Sequence, residues 1–164
     1  MKLYIKQKVF SWGDKFTVKN GYGEDVYTVK GEVLSIGRKL HILDMNENEL
    51  AFIKQKIFKL LPKYQIIING DVVAEVTKKL ALLKPKYVVS GLDLEITGDF
   101  LAHEYSAVNK NGEQVLTVSK EWFKWGDTYV IDTLDTLDPV IASALLIVID
   151  ACMAEEQVAA SAGT

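Results

Sequence analysis

A chain of 164 residues is long enough for one hydrophobic core and short for two. With 49% apolar and 25% charged residues it falls outside the charge-rich class that stays disordered. The single cysteine, Cys152, excludes a disulfide within the chain and suits a reducing cytoplasm, which is the expected location.

The net charge of −3 is unevenly spread. Residues 1–89 carry 15 Lys and 1 Arg against 9 acids, whereas residues 90–164 carry 3 Lys against 13 acids. Such asymmetry fits either a basic surface for phosphate-bearing partners or two halves that attract one another in the fold.

The opening stretch, "MKLYIKQKVF", has charges every second or third residue, which matches neither a secretory signal nor a membrane anchor and begins a strand. "FSWGDKFTV" then starts at Phe10 and returns as "FKWGDTYVI" at Phe123. By residue class two further copies appear at the same spacing. One is Lys56-Ile57-Phe58 with Leu60, Pro62, Tyr64 and Ile66, and the other is Lys79-Leu80-Ala81 with Leu83, Pro85, Tyr87 and Val89. In each copy a Gly-Asp or a Pro separates two runs of alternating apolar residues, which reads as strand, turn, strand. Trp12 and Trp125 occupy the positions of Leu60 and Leu83, so the Trp-Gly-Asp pair is read as a structural element with a core or seam aromatic, not as a functional signature.

Interleaved with these copies are Asn20-Gly21, Asn69-Gly70 and Asn111-Gly112, dipeptides suited to hairpins with positive φ at both central positions. Residues 2 to about 132 therefore read as a meander of roughly a dozen antiparallel strands.

The period changes after Asp138-Pro139, an N-cap followed by a proline suited to the first helical turn. "VIASALLIVIDACMA", residues 140–154, is apolar all round except for Ser143 and Asp150, so it must be wrapped on every side. From Pro139 to Ala154 it spans about 24 Å, short of a bilayer crossing, and no transmembrane segment is expected. A dozen strands closing on themselves would wrap it and remove their own edges. The expectation is a mainly β protein, a closed antiparallel β-barrel of about twelve strands around a helix at about 139–154. Residues 1–154 form the single domain, followed by a frayed, disordered tail at 155–164.

The order of these stretches, from "VFSWGDKFTV" through "NGYGEDVYTVKGEVLSIGRKLHILD", "AFIKQKIFKLLPKYQI", "LEITGDFLAHEYSAV" and "VLTVSKEWFKWGDTYVID" to the apolar helix, resembles the LURP-one-related family. That family is grouped with the tubby and phospholipid scramblase domains, and the likeness, to a bacterial-type member, runs from about Met1 to Met153. It implies a closed tubby-like barrel threaded by the C-terminal helix. For function it implies a binding or scaffold domain of unknown ligand, or the capture of phosphoinositide or other anionic head groups by surface lysines. The Pro-rich region and cysteine-rich acylation segment of scramblases are absent from this sequence.

Catalysis has no visible constellation, and the chain is read as non-enzymatic. His41 and His103 are far apart, no nucleophile or metalloprotease motif occurs, and Cys152 sits among apolar neighbours as a packing residue. An enzyme would require His103, Glu104 or Asp99 to meet another titratable group in a pocket. Asp44, Asn46 and Asn48 imitate the start of a calcium loop, but Glu49 and Gln55 stand where Gly and Glu are needed, so no metal and no cofactor are expected. Asp127, Asp132, Asp135 and Asp138 are assigned to capping and turns.

The candidate binding residues are Lys54, Lys56, Lys59, Lys63, Lys78, Lys79, Lys84 and Lys86, which lie within residues 53–86 against only Asp71 and Glu75. Some of them can converge on an outer patch that holds anionic lipid at about 1 kcal/mol per charge. Lysine without arginine argues against bidentate phosphate recognition, and an acidic chain without a reading motif argues against nucleic acid. The partner is thus an unknown protein or an anionic lipid, and the location cytoplasmic or peripheral to a membrane.

Overall fold

The computed structural model describes residues 1–6, 15–80, 84–123 and 126–163. Among these, the strands follow in chain order as β1 (Lys2–Lys6), β2 (Lys15–Asn20), β3 (Asp25–Gly31), β4 (Lys39–Leu43), β5 (Glu49–Gln55) and β6 (Lys63–Ile68). Then come β7 (Asp71–Lys79), β8 (Lys86–Ser90), β9 (Leu94–Asp99), β10 (Glu104–Asn109), β11 (Gln114–Phe123) and β12 (Gly126–Thr133), and finally the helix α1 (Pro139–Ala162). Every strand pairs antiparallel with its sequence neighbours, and β1 pairs with β12, so the sheet closes into a twelve-stranded barrel.

Closure follows from the period-two pattern. In β6 the inward positions are Tyr64 and Ile66, and in β8 they are Tyr87 and Val89, all buried, while the residues between them face outward. Eight strands leave a bore that side chains fill and sixteen leave a channel. Twelve fall between, and a helix takes up the space. Small inward wall residues, Ala51, Ala74 and Ala107, widen the bore for it.

The helix begins where the sequence predicts. The Asp138 carboxylate accepts a hydrogen bond from Val140 N at 2.7 Å, and Pro139 occupies the first turn. Residues Ala142–Ile149 are buried on all faces, so the apolar segment is shielded by the protein's own wall. The helix continues to Ala162, past Ala154, because "EEQVAASA" contains good helix formers; most of its side chains beyond Glu156 are exposed.

The four sequence copies fall on the β1–β2, β5–β6, β7–β8 and β11–β12 connections. In an antiparallel barrel strung in sequence order, every odd-to-even connection lies at one end and every even-to-odd connection at the other. All four copies therefore share one end, the long-loop end. Trp12, Trp125 and Leu83 lie outside the described residues. The reading of Trp12 and Trp125 as core or seam aromatics thus falls outside the described residues, while Leu60, which shares their position in the repeat, is fully exposed in the β5–β6 loop.

The short-turn end repeats a different unit. Asn20 Oδ1 accepts from Tyr22 N and Glu24 N, Asp44 Oδ1 from Asn46 N and Asn48 N, and Asn109 Oδ1 from Asn111 N and Glu113 N. Three positions after each of these residues stands a positive φ, at Gly23, Glu47 and Gly112. Only Asn69-Gly70 has positive φ at both members of the pair, so Asn20-Gly21 and Asn111-Gly112 belong to longer bulged turns and not to two-residue hairpins. The same turn explains the calcium-loop imitation, because it engages both oxygens of the Asp44 carboxylate in hydrogen bonds from Asn46 and Asn48.

Candidate functional site

The two ends of the barrel differ in chemistry. Turns at the short-turn end carry Glu24, Asp44, Glu47, Asp93, Asp135 and Asp138, with Lys110 as the one lysine among them. The long-loop end carries the candidate lysines. The turns of the two ends thus differ in charge, although acids also stand at the long-loop end, among them Glu32, Asp99, Asp127, Glu155 and Glu156.

The long-loop end is also greasy. Among the described residues, ten of the fifteen exposed large hydrophobic residues lie there, in the β3–β4, β5–β6, β7–β8 and β9–β10 loops, on β11 and on the last turns of α1. The most prominent are Leu34, Ile36, Phe58, Leu60, Leu101 and Trp122, all at least 80% exposed. Phe58 has φ 58°, a left-handed conformation that is costly for a bulky side chain, and its ring is 97% exposed. Packing does not account for it.

The eight candidate lysines separate into two sets and one lysine apart. Lys63 pairs with Glu75 at 2.6 Å and Lys86 with Glu95 at 2.7 Å, both on the outer wall. Lys63 draws the Glu75 carboxyl below its ordinary range by hydrogen bonding, against the opposing effect of burial. Lys54, Lys56, Lys59, Lys79 and Lys84 make no ion pair among the described residues. All five lie in or beside the apolar loops, so "KIFKLLPK" and "KKL" alternate cation and hydrophobe at one rim. Lys78 corrects the outer-face expectation. It follows Ala74 and Val76 on the inward face of β7, is 8% exposed, and pairs with Glu156 of α1. Its ammonium stands 6.0 Å from the centre of the Tyr87 ring.

Among the described residues, clefts open between this rim and α1. One of about 300 Å³ lies under Phe58 and Leu60 and reaches Glu155, which accepts a hydrogen bond from the buried Tyr64 hydroxyl. Another, about 310 Å³, is walled by Pro85, Tyr87, Phe100, Leu101 and Met153, with Lys78 and Glu156 at one side.

A titratable pair also meets inside the barrel near this end. His103, in the β9–β10 loop with φ 56°, places Nδ1 3.5 Å from the Asp150 carboxylate of α1, and its ring packs against Tyr129. Burial raises the Asp150 carboxyl to about 6, with a Tyr129 hydrogen bond acting in the other direction. Burial, with the Lys120 charge, lowers the His103 imidazole. His103 therefore meets a titratable partner, but neither cleft is lined by the pair. Asp99 instead caps its own turn by accepting from Ala102 N at 3.0 Å. Cys152 is fully buried and burial pushes its thiol far up, as a packing residue requires. Among the described residues no group of three or more His, Cys, Asp or Glu side chains is placed to hold a metal, and no helix is long and apolar enough to cross a membrane.

The LURP-one-related family model matches residues 1–150. The chain belongs to that family. It is 40% identical over 151 residues to the uncharacterized protein YxjI of Bacillus subtilis, covering 92% of each chain. Its fold is similar to that of a solved Arabidopsis thaliana protein, with a TM-score of 0.62 at 16% identity, over 92% of this chain and 90% of that one. The LURP-one-related assignment leaves the ligand of the greasy, basic end to be argued from its chemistry.

Proposed function

We propose that this LURP-one-related domain is a non-enzymatic binding module that docks its long-loop end on an anionic membrane surface. One observation carries the reading: among the described residues, exposed hydrophobes and lysines without an ion-pair partner are concentrated together at one end of the barrel, and the turns at the other end are acidic. Large apolar groups crowded at one end mark an interaction surface. Alternation with lysine favours an interface that is apolar inside and negative at its edge, as an anionic bilayer is. Trp122 suits the head-group level. Lysines act there as diffuse point charges, each contributing about 1 kcal/mol near the surface, which needs none of the bidentate geometry of arginine.

Flotation with neutral and anionic vesicles at low and physiological salt tests the reading. Recruitment by anionic vesicles alone, weakened by salt and lost in the Phe58→Ser, Leu60→Ser double variant, is the expected result. Equal behaviour with both vesicle types, or none with either, would sink it and leave the rim to a protein partner.

A further inference from the structure

A lysine on the inward wall of a barrel loses its hydration and requires a partner. Lys78 has one, Glu156, on the last turns of α1. The two sides of this pair are unlike. Lys78 is fixed by its strand, with its side chain 10% exposed, whereas the Glu156 side chain is 42% exposed and can return to water at small cost. Next to the ammonium lies the cleft of about 310 Å³ walled by Tyr87, Phe100, Leu101 and Met153, in the size range of small-molecule sites and mostly apolar, with Lys78, Glu156 and Gln157 as its polar lining. A fixed, desolvated cation at one side of an apolar cleft is the recognition chemistry for an amphiphile with an anionic head.

We propose that this cleft binds a single acyl chain whose anionic head replaces the Glu156 carboxylate on Lys78. Glu156 is a carboxylate supplied by the protein itself, holding the cation while the site is empty and swinging to solvent when a ligand head arrives. The chain of the ligand lies against Tyr87, Phe100 and Met153, under the exposed Leu101. The inference deepens the membrane reading, resting on it only for the source of the ligand, since a free fatty acid and a lipid at the surface offer the same chemistry.

Calorimetric titration of the full chain with monomeric dodecanoate at pH 8, and with dodecyl phosphate, dodecanol and dodecyltrimethylammonium, tests this. The two anions are expected to bind one to one, and the alcohol and the cation at least tenfold more weakly. Lys78→Gln should weaken dodecanoate at least tenfold. Glu156→Gln, which removes the internal competitor from an exposed position, should tighten it about threefold or more. Leu101→Ser, also exposed, should weaken it several-fold without loss of folding. Absence of saturable binding, equal affinity for dodecanol, or no tightening in Glu156→Gln overturns the proposal. The Phe58→Ser, Leu60→Ser double variant separates the two readings, because it should bind dodecanoate unchanged while losing vesicles. Vesicle recruitment without dodecanoate binding defeats the cleft alone, and dodecanoate binding without recruitment defeats membrane docking alone and makes the free acid the ligand.

Discussion

His103 Nδ1 and the Asp150 carboxylate stand 3.5 Å apart within the barrel, with no hydrogen bond between them. Tyr129 of β12, Tyr105 of β10 and Lys120 of β11 also face the pair, and Tyr129 hydrogen-bonds Asp150. Asp150 is therefore an acid that holds its proton more tightly than an ordinary carboxyl, placed on the helix that fills the core.

The stability of the domain should fall as pH rises through the weakly acidic range. The folded Asp150 carboxyl titrates at about 6, above its ordinary 3.8, so the native state holds this proton more tightly than the unfolded chain. Its contribution is complete below about pH 3.8 and is lost progressively up to about pH 6. The lowered His103 imidazole acts oppositely, costing stability as pH falls below its ordinary 6.5. Asp150→Asn keeps an acceptor for Tyr129 and removes only the charge. Urea denaturation should find it more stable than the parent by roughly 1–3 kcal/mol at pH 8, with the difference gone at pH 4. A variant less stable at pH 8 would mean that the pair is ionised and mutually stabilising.

His41 should titrate in the opposite sense to His103. It lies on the outer wall, stacked on Phe52 with ring centroids 4.8 Å apart, with Nδ1 2.6 Å from Glu49 and Nε2 2.9 Å from Glu32. Burial alone would lower its imidazole, but the hydrogen bonds to Glu49 and then Glu32 outweigh that and hold it above the ordinary 6.5. A raised folded value means stability that is present below about pH 6.5 and lost as pH rises through the folded value. A proton NMR titration should place the His41 midpoint above 6.5 and that of Glu49→Gln lower. A parent midpoint at or under 6.5 would contradict the bridging geometry.

The barrel and its helix were readable in the sequence because burial imposes periodicity. A period of two at Tyr64 and Ile66, or Tyr87 and Val89, marks a one-sided wall, and fifteen residues without a polar face mark a rod that must be enclosed. The site was less readable, for a physical reason: a leucine in a loop and a leucine in a core look alike in one dimension. Leu60, which shares its position in the repeat with Trp12 and Trp125, stands wholly in solvent. Lys78 is in the same run as Lys79, yet strand parity turns the first inward and the second outward. Parity from Val76 was the available signal. Glu156, its partner 78 residues away, carried none, since nothing local announces where the end of a helix emerges. The gathering of the candidate lysines at one barrel end likewise becomes visible only once the strands are placed.

Core truncation on α1 should be costly. Leu146 is 1% exposed at the centre of the enclosed segment, and a rigid closed wall cannot collapse onto a missing side chain. Leu146→Ala should lose about 2–5 kcal/mol in urea denaturation, the range for a leucine truncated in a core. Val158→Ala, on the exposed last turns, should change stability by less than about 0.5 kcal/mol. Equal effects would mean that the helix is not enclosed.

Two glycines should respond unequally to alanine although both have positive φ. Gly112, with φ 78°, stands in a short turn where an added Cβ meets nothing within 4 Å, so the cost is the left-handed backbone alone, about 1–2 kcal/mol. Gly98, with φ 149°, lies on β9 against β10, where an added Cβ would come 2.4 Å from Glu104 O and 2.5 Å from Tyr105 Cα. Those are backbone atoms of the neighbouring strand, paired with Gly98 through Tyr105, and the β9–β10 ladder would have to open to admit the methyl group. That opening would also disturb His103, which is next to the start of β10 and packed on Tyr129. Gly98→Ala should therefore cost more than Gly112→Ala, with roughly 1–3 kcal/mol of backbone strain before the clash is added. Hydrogen exchange should show faster exchange of the β9 and β10 amides in Gly98→Ala and no such change in Gly112→Ala. Similar melting temperatures for the two variants would show that β9 can shift away from β10 without penalty, contrary to a closed and tightly registered wall.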